Sequence, residues 1–161
     1  MLKIKNMKKS ILFLSMAAVA ILVVAACSKT NQRTKRLIKG GEWTVTELSV
    51  DGTNEDELPS WEISDCDPYE AVCIGHWENE EGGHAEFAWQ FNSKGSQFTI
   101  SHQAEEGEHE HEHADEEAAE QAYNFSGTYE VLEYSKTKMK FSSTSTVGFN
   151  GQTAVIVIEK K

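Results

Sequence analysis

The sequence predicts an all-β protein, a small antiparallel barrel or sandwich of about six to eight short strands. Three observations carry that prediction. From Gly41 onward, runs of β-branched and aromatic residues alternate apolar and polar side chains with period two. Turn signals separate the runs: Asp51-Gly52, Asn92-Ser93-Lys94-Gly95 and Gly151. No strand–helix–strand alternation is visible, and no internal repeat of about 20–50 residues.

The elements follow in order. Residues 1–10 carry four lysines and no acid, and residues 11–26 are mostly apolar. A basic stretch followed by an apolar one is the plan of a secretory signal. At ~1.5 Å per residue the apolar stretch spans roughly 24 Å, short of the ~30 Å bilayer core, so a cleaved signal is expected over a permanent membrane helix. The segment closes on Val24-Ala25-Ala26-Cys27-Ser28, which resembles a bacterial lipobox. An ordinary secretory signal with an incidental cysteine is the alternative. The lipobox resemblance implies that Cys27 is lipidated, with acyl chains such as palmitate, and becomes the first mature residue. Several chains at ~0.8 kcal/mol per buried CH₂ would then hold the protein on a membrane. Ser28 after the cysteine resembles the outer-membrane default of Gram-negative bacteria, and Lys29-Thr30-Asn31 lacks the acidic run associated with surface export. The expected location is therefore the periplasmic face of the outer membrane.

Residues 27–40 are basic and without periodicity, which suits a flexible tether. Residues 41–161 are the predicted domain, long enough for one core. Trp43-Thr44-Val45-Thr46-Glu47-Leu48-Ser49-Val50 reads as the first strand, and residues 53–83, acidic and turn-rich, as mostly loop with at most a short strand. Cys66 and Cys73 are an even pair in an exported chain, so they read as one disulfide worth ~2–3 kcal/mol. The clearest strand is residues 84–92, where Ala85, Phe87, Trp89 and Phe91 share one face. Residues 97–101 return from the hairpin with Phe98 and Ile100 inward. An insert at residues 103–120 is expected as solvated loop, and strands resume at Tyr123. Tyr129 and Val131 share a face there, while Leu132 and Tyr134 fall on the other. Lys138-Met139-Lys140-Phe141 alternates cleanly. Residues 154–158 are apolar throughout and expected to be buried on both faces.

Charge narrows the function. Residues 27–161 hold eleven basic groups and 26 acids, a net charge of −15. Such a surface repels nucleic acid and attracts cations. The charge is uneven: residues 42–120 carry 23 acids against Lys94 alone, while residues 27–41 hold five basic groups and no acid. That basic stretch stands beside the expected anchor, where it can lean on anionic headgroups or simply be solvated.

The strongest local oddity is Glu108-His109-Glu110-His111-Glu112-His113. Imidazole and carboxylate both ligate zinc, and an extended or curled segment would gather His109, His111 and His113 around one divalent ion. His109-Glu110-x-x-His113 matches a zinc-protease spacing, but the run is His/Glu low complexity and protease chemistry is set aside. His76, His84, Asp65, Asp67 and Glu70 read as loop residues rather than a calcium or zinc site. Ser135-x-x-Lys138 falls in a strand without companion motifs and is fortuitous. No nucleophile elbow, phosphate loop or dinucleotide fingerprint exists, so no catalytic residue is assigned.

Gly41-Glu42-Trp43 at the start of an up-and-down β pattern resembles the opening motif of lipocalins. Residues 37–161 as a whole are similar to the short lipocalin-like domain of many bacterial lipoproteins. The matching stretches are residues 37–52, 87–100 and 155–159 and Gly127-Thr128-Tyr129-Glu130-Val131. The resemblance implies a barrel with Trp43 packed across its closed end. Full lipocalins carry a late arginine on that tryptophan, and this chain has none after Arg36. The shorter relative is thus implied, not a lipocalin with a deep cavity.

Trp43, Phe87, Trp89, Phe91, Tyr129 and Val131 would line the interior, either around a small hydrophobic ligand or packed together with no cavity. The expected function is a lipid-anchored, non-catalytic envelope protein binding such a ligand or a partner protein. The alternative is zinc buffering or delivery through His109, His111 and His113.

Overall fold

The computed structural model describes residues 32–39, 42–63, 66, 72–102 and 113–161; for residues 113 and 114 it describes the backbone alone. The strands are β1 (Glu42–Val50), β2 (Thr53–Asn54), β3 (Ser60–Glu62), β4 (Cys73–Glu78), β5 (His84–Phe91), β6 (Gln97–His102), β7 (Gly127–Tyr134), β8 (Lys138–Ser143) and β9 (Ala154–Lys160). Among the described residues two helices accompany them, α1 (residues 32–39) and α2 (His113–Asn124). Every strand pairs antiparallel with its neighbour, and β1 pairs with β9, which closes the sheet into a barrel. The fold is all-β with eight barrel strands and one extra short strand, the architecture of a small lipocalin-like barrel.

The extra strand has a simple origin. β9 occupies one edge of β1, so β2, opposite Ser49 and Val50, and β3, opposite residues 42–44, share the other edge. They are two pieces of one interrupted strand. Asp51 (φ 49°) and Gly52 (φ 79°) make the tight β1–β2 turn, the pair of left-handed residues a two-residue hairpin requires.

Two β-bulges set which residues point inward. In β1 the register against β9 slips between Val45 and Glu47, so Trp43 and Val45 face the interior below the slip and Leu48 above it. In β7 the slip lies between Val131 and Glu133. The extra residue, Leu132, is turned outward and 58% exposed, while Tyr134 returns to the inner side with Tyr129 and Val131. The sequence pattern placed Tyr134 on the opposite face because an insertion of one residue is invisible to period counting.

β9 is covered on both sides as expected. Ala154, Ile156 and Ile158 join the core, and outward-facing Val157 is also buried. Glu47 and Lys140 flank Val157 on the neighbouring strands, and their ion pair, 3.4 Å, bridges over it.

Three expectations are corrected. Residues 53–83 hold three strands, β2, β3 and the six-residue β4, where at most one short strand was expected. The 103–120 insert is not loop throughout, since α2 begins at His113, and strand structure resumes at Gly127 rather than Tyr123. Ala, Glu and Gln favour helix, Asp115 and Glu116 complement the dipole in the first turn, and Ala118, Ala122 and Phe125 form an i, i+4, i+7 buried stripe. Residues 32–39, expected as part of a flexible tether, form α1. Thr34 and Leu37 of α1 are buried and Ile38 packs on the core, so this part of the expected tether is docked helix.

The register sorts the connections between two ends of the barrel. One end gathers α1, the start of β1, the turns at residues 92–96 and 135–137 and the C-terminus. The other gathers the Asp51-Gly52 turn, the turn at residues 79–83, α2 and residues 144–153. Residues 1–31, with the expected signal and Cys27, lie outside the described residues.

Candidate functional site

The interior comes first, because period-two alternation drives it. Trp43, Phe87, Trp89, Phe91 and Tyr129 all belong to the buried core, and Val131 packs against it. They share the interior with residues the sequence pattern did not single out as lining, including Trp61, Trp77 and Phe141. The rings touch one another across the lumen. Trp61 on β3 lies 6.3 Å from Phe98 on β6, stacked, and Phe98 lies 4.7 Å from Phe141 on β8, also stacked. Trp61 further meets Trp77 at 5.5 Å and Phe87 at 5.4 Å. Such pairs contribute ~0.5–1.5 kcal/mol each beyond burial. Side chains from opposite walls therefore meet in the middle. Three clefts lined by described residues open on the outside of the barrel.

Both ends are covered by helix. At one end the Trp43 indole Nε1 donates to the Leu37 carbonyl at 2.9 Å, tying α1 to β1. Arg33 and Arg36, one turn apart, each hold a guanidinium 4.6 Å from the centroid of the Tyr134 ring. Burial pushes the Tyr134 hydroxyl above the ordinary phenol range, with Arg36 and Arg33 pulling the other way. Gly95 (φ +66°) gives α1 room: a Cβ there would stand 2.8 Å from Arg33 Cδ. Beside α1 opens a cleft of about 300 Å³ lined by Gln32, Lys35, Arg36, Lys39, Lys136 and Lys160.

At the opposite end, α2 packs on β4, β5 and β6. The Trp77 indole donates to Gln121 Oε1 at 2.8 Å, and Gln121 Nε2 donates to the Glu57 carbonyl at 3.2 Å. A second cleft, of about 280 Å³, is lined here by Glu55, Glu57, Glu117 and Glu120 together with Asn79, Gln121, Asn124, Phe125 and Phe149. The two clefts, at opposite ends of the barrel, thus carry opposite charge. Sequence blocks alone do not reveal this, because Lys136 and Lys160 reach the basic end only through the barrel register.

The remaining expected site residues divide. Cys66 and Cys73 form a disulfide, Cα–Cα 5.3 Å. His109 and His111 lie outside the described residues, and His113 starts α2 with its side chain also outside them. His84 Nδ1 sits 3.5 Å from Asp115 Oδ1, and the same carboxylate accepts the His84 backbone N–H at 3.0 Å. His76 is half-buried in β4, opposite Glu62 and Glu86. Among the described residues no group of three or more His, Cys, Asp or Glu is placed to hold a metal ion. Among them, too, no helix is long and apolar enough to cross a membrane.

No family model matches the chain, and no curated protein does. Two solved structures are similar to it. One is EF1p2_mFAP2b bound to DFHBI, at TM-score 0.45 and 9% identity over 82% of this chain and 99% of that one. Another is an uncharacterized protein from Bacteroides eggerthii DSM 20697, at TM-score 0.39 and 16% identity over 74% of this chain and 97% of that one.

Proposed function

We propose that the chain is a lipid-anchored, non-catalytic, lipocalin-like envelope protein that recognises a partner protein through the outside of a packed barrel. The observation that carries this reading is the ring contact across the lumen, Trp61 to Phe98 to Phe141. A hydrophobic ligand inside would have to displace core rings, each worth ~1.5–3 kcal/mol in burial alone. Recognition therefore falls to the exterior. Exposed Leu132, turned out by the β7 bulge, lines a surface cleft with Asn92, Lys94 and Glu130 and is a ready contact. The anchor reading is supported by the basic and apolar segments that lead to Cys27.

Titration with a long-chain fatty acid, followed through tryptophan emission, tests the filled lumen. No saturable change is expected; stoichiometric quenching would return the function to a lumen ligand. Metabolic palmitate labelling tests the anchor. Label is expected on the native chain and lost in Cys27→Ser, and label retained in that variant would end the anchor reading.

A second reading, zinc handling, is favoured by one contact. His84 stands against Asp115, two residues from His113, so a fourth imidazole borders the His/Glu run. Calorimetry at neutral pH on the native chain and on a variant with His109, His111 and His113 changed to alanine separates the cases. Micromolar binding lost in the variant supports metal handling, and binding that survives the change sinks it.

A further inference from the structure

We infer that the α1 end of the barrel is a membrane-docking face for anionic phospholipid headgroups. The inference rests on the proposed anchor at Cys27 and adds to it an orientation.

Three separate parts of the chain build the face. Lys35, Arg36 and Lys39 come from α1, Lys136 from the β7–β8 turn and Lys160 from the end of β9. Gln32 completes the lining of their cleft, and none of the lining residues is acidic. Two acids at this end pair with lysines outside the cleft: Glu159 meets Lys138 at 2.8 Å and Glu42 meets Lys161 at 3.2 Å. Packing holds the cations in place. The Trp43–Leu37 hydrogen bond and the Arg33 and Arg36 contacts to Tyr134 fix α1 against the barrel.

Chain length gives the direction. Gln32 follows Cys27 by five residues, which extend to at most ~18 Å. A lipidated Cys27 would hold this end near the headgroups, within roughly two Debye lengths at physiological salt. The other end, with the cleft of Glu55, Glu57, Glu117 and Glu120, is repelled by the same surface. Attraction at one end and repulsion at the other stand the barrel upright on an anionic bilayer. Each basic residue near such a surface favours the bound state by a factor of about five.

The test uses the full chain with its own N-terminal segment, reconstituted on phosphatidylcholine vesicles and on vesicles that also contain phosphatidylglycerol. Each lysine is labelled with an amine-reactive reagent and read by mass spectrometry. Lys35, Lys39, Lys136 and Lys160 are expected to react at least about fivefold more slowly on the anionic vesicles, with Lys140 on the barrel wall unchanged. The protection is expected to vanish at about 1 M salt, where the Debye length is ~3 Å. Changing Lys136→Gln together with Lys160→Gln is expected to weaken the protection of Lys35 and Lys39, so that it vanishes at a lower salt concentration than in the native chain. Equal rates on both compositions would overturn the inference. So would the same protection from inorganic phosphate without vesicles, which would make the cleft a soluble-anion site. Flotation on neutral vesicles measures the anchor separately. A chain that floats without differential protection keeps the anchor and loses the face; protection confined to anionic vesicles, without flotation on neutral ones, keeps the face and loses the anchor.

Discussion

The Tyr129 hydroxyl donates to the Phe125 carbonyl at 2.6 Å, so one buried phenol joins β7 to the residue that follows α2. Burial raises its pKa well above the usual 10.0. The folded protein therefore keeps this phenol neutral at pH values where the unfolded chain ionises. That stability is fully present below about pH 10 and falls above it, by up to ~1.4 kcal/mol per pH unit. Tyr129→Phe is expected to cost ~1 kcal/mol at pH 7 through the lost hydrogen bond and to flatten the alkaline slope. Denaturant unfolding at pH 7 and near pH 11 checks both. Gly95 gives a second test at this scale. Gly95→Ala places a Cβ in a left-handed backbone and against Arg33, so a loss of ~1–2 kcal/mol is expected, with α1 loosened from Tyr134. Hydrogen exchange across residues 32–39 reads the loosening directly.

Strands that alternate large apolar side chains were legible from the sequence, and β5, β6 and β8 stand close to where the pattern puts them. β4 was not, because two of its inward positions are Cys73 and Gly75, which carry little apolar signal. Gly75 is small for a reason: a Cβ there would meet the Phe87 ring at 3.0 Å and the Glu62 carbonyl at 3.1 Å. α2 was hidden by the His/Glu run before it, although its Ala118, Ala122 and Phe125 spacing is helical. α1 was hidden by its own charge, since Lys35 and Arg36 interrupt the apolar positions. Ala118 is fully buried beneath α2, so Ala118→Leu is expected to overpack that seam and cost ~1–3 kcal/mol in thermal or denaturant melts. The Cys66–Cys73 bridge closes a loop with a sequence separation of 7. Changing both cysteines to serine is expected to lower stability by ~2–3 kcal/mol, measured as the shift in unfolding midpoint.

At the scale of the whole molecule, the six residues predicted to line the barrel belong to its core or pack against it, and Phe87, Trp89 and Phe91 meet other rings there, where the sequence reading offered either a ligand or a packed interior. Whether a barrel of aromatic side chains encloses space depends on what opposite walls contribute, and β-strand periodicity does not report that. Phe98 is the ring at which several walls meet, touching Trp61, Trp89, Phe91 and Phe141. Phe98→Ala is expected to cost ~3–5 kcal/mol and to leave an apolar cavity that binds benzene or xenon, while the native barrel binds neither. Ligand-dependent thermal shifts distinguish the two proteins. The seam between β1 and β9 has a consequence for how the molecule is made. Trp43 pairs with Lys160, more than a hundred residues later, so the first strand waits for the last. A chain emerging N-terminus first holds β1 with an open edge until its final seven-residue strand arrives. Closure is then a slow, long-range step, and losing residues 154–160 would leave the edges of β1 and β8 bare and prone to pair between molecules.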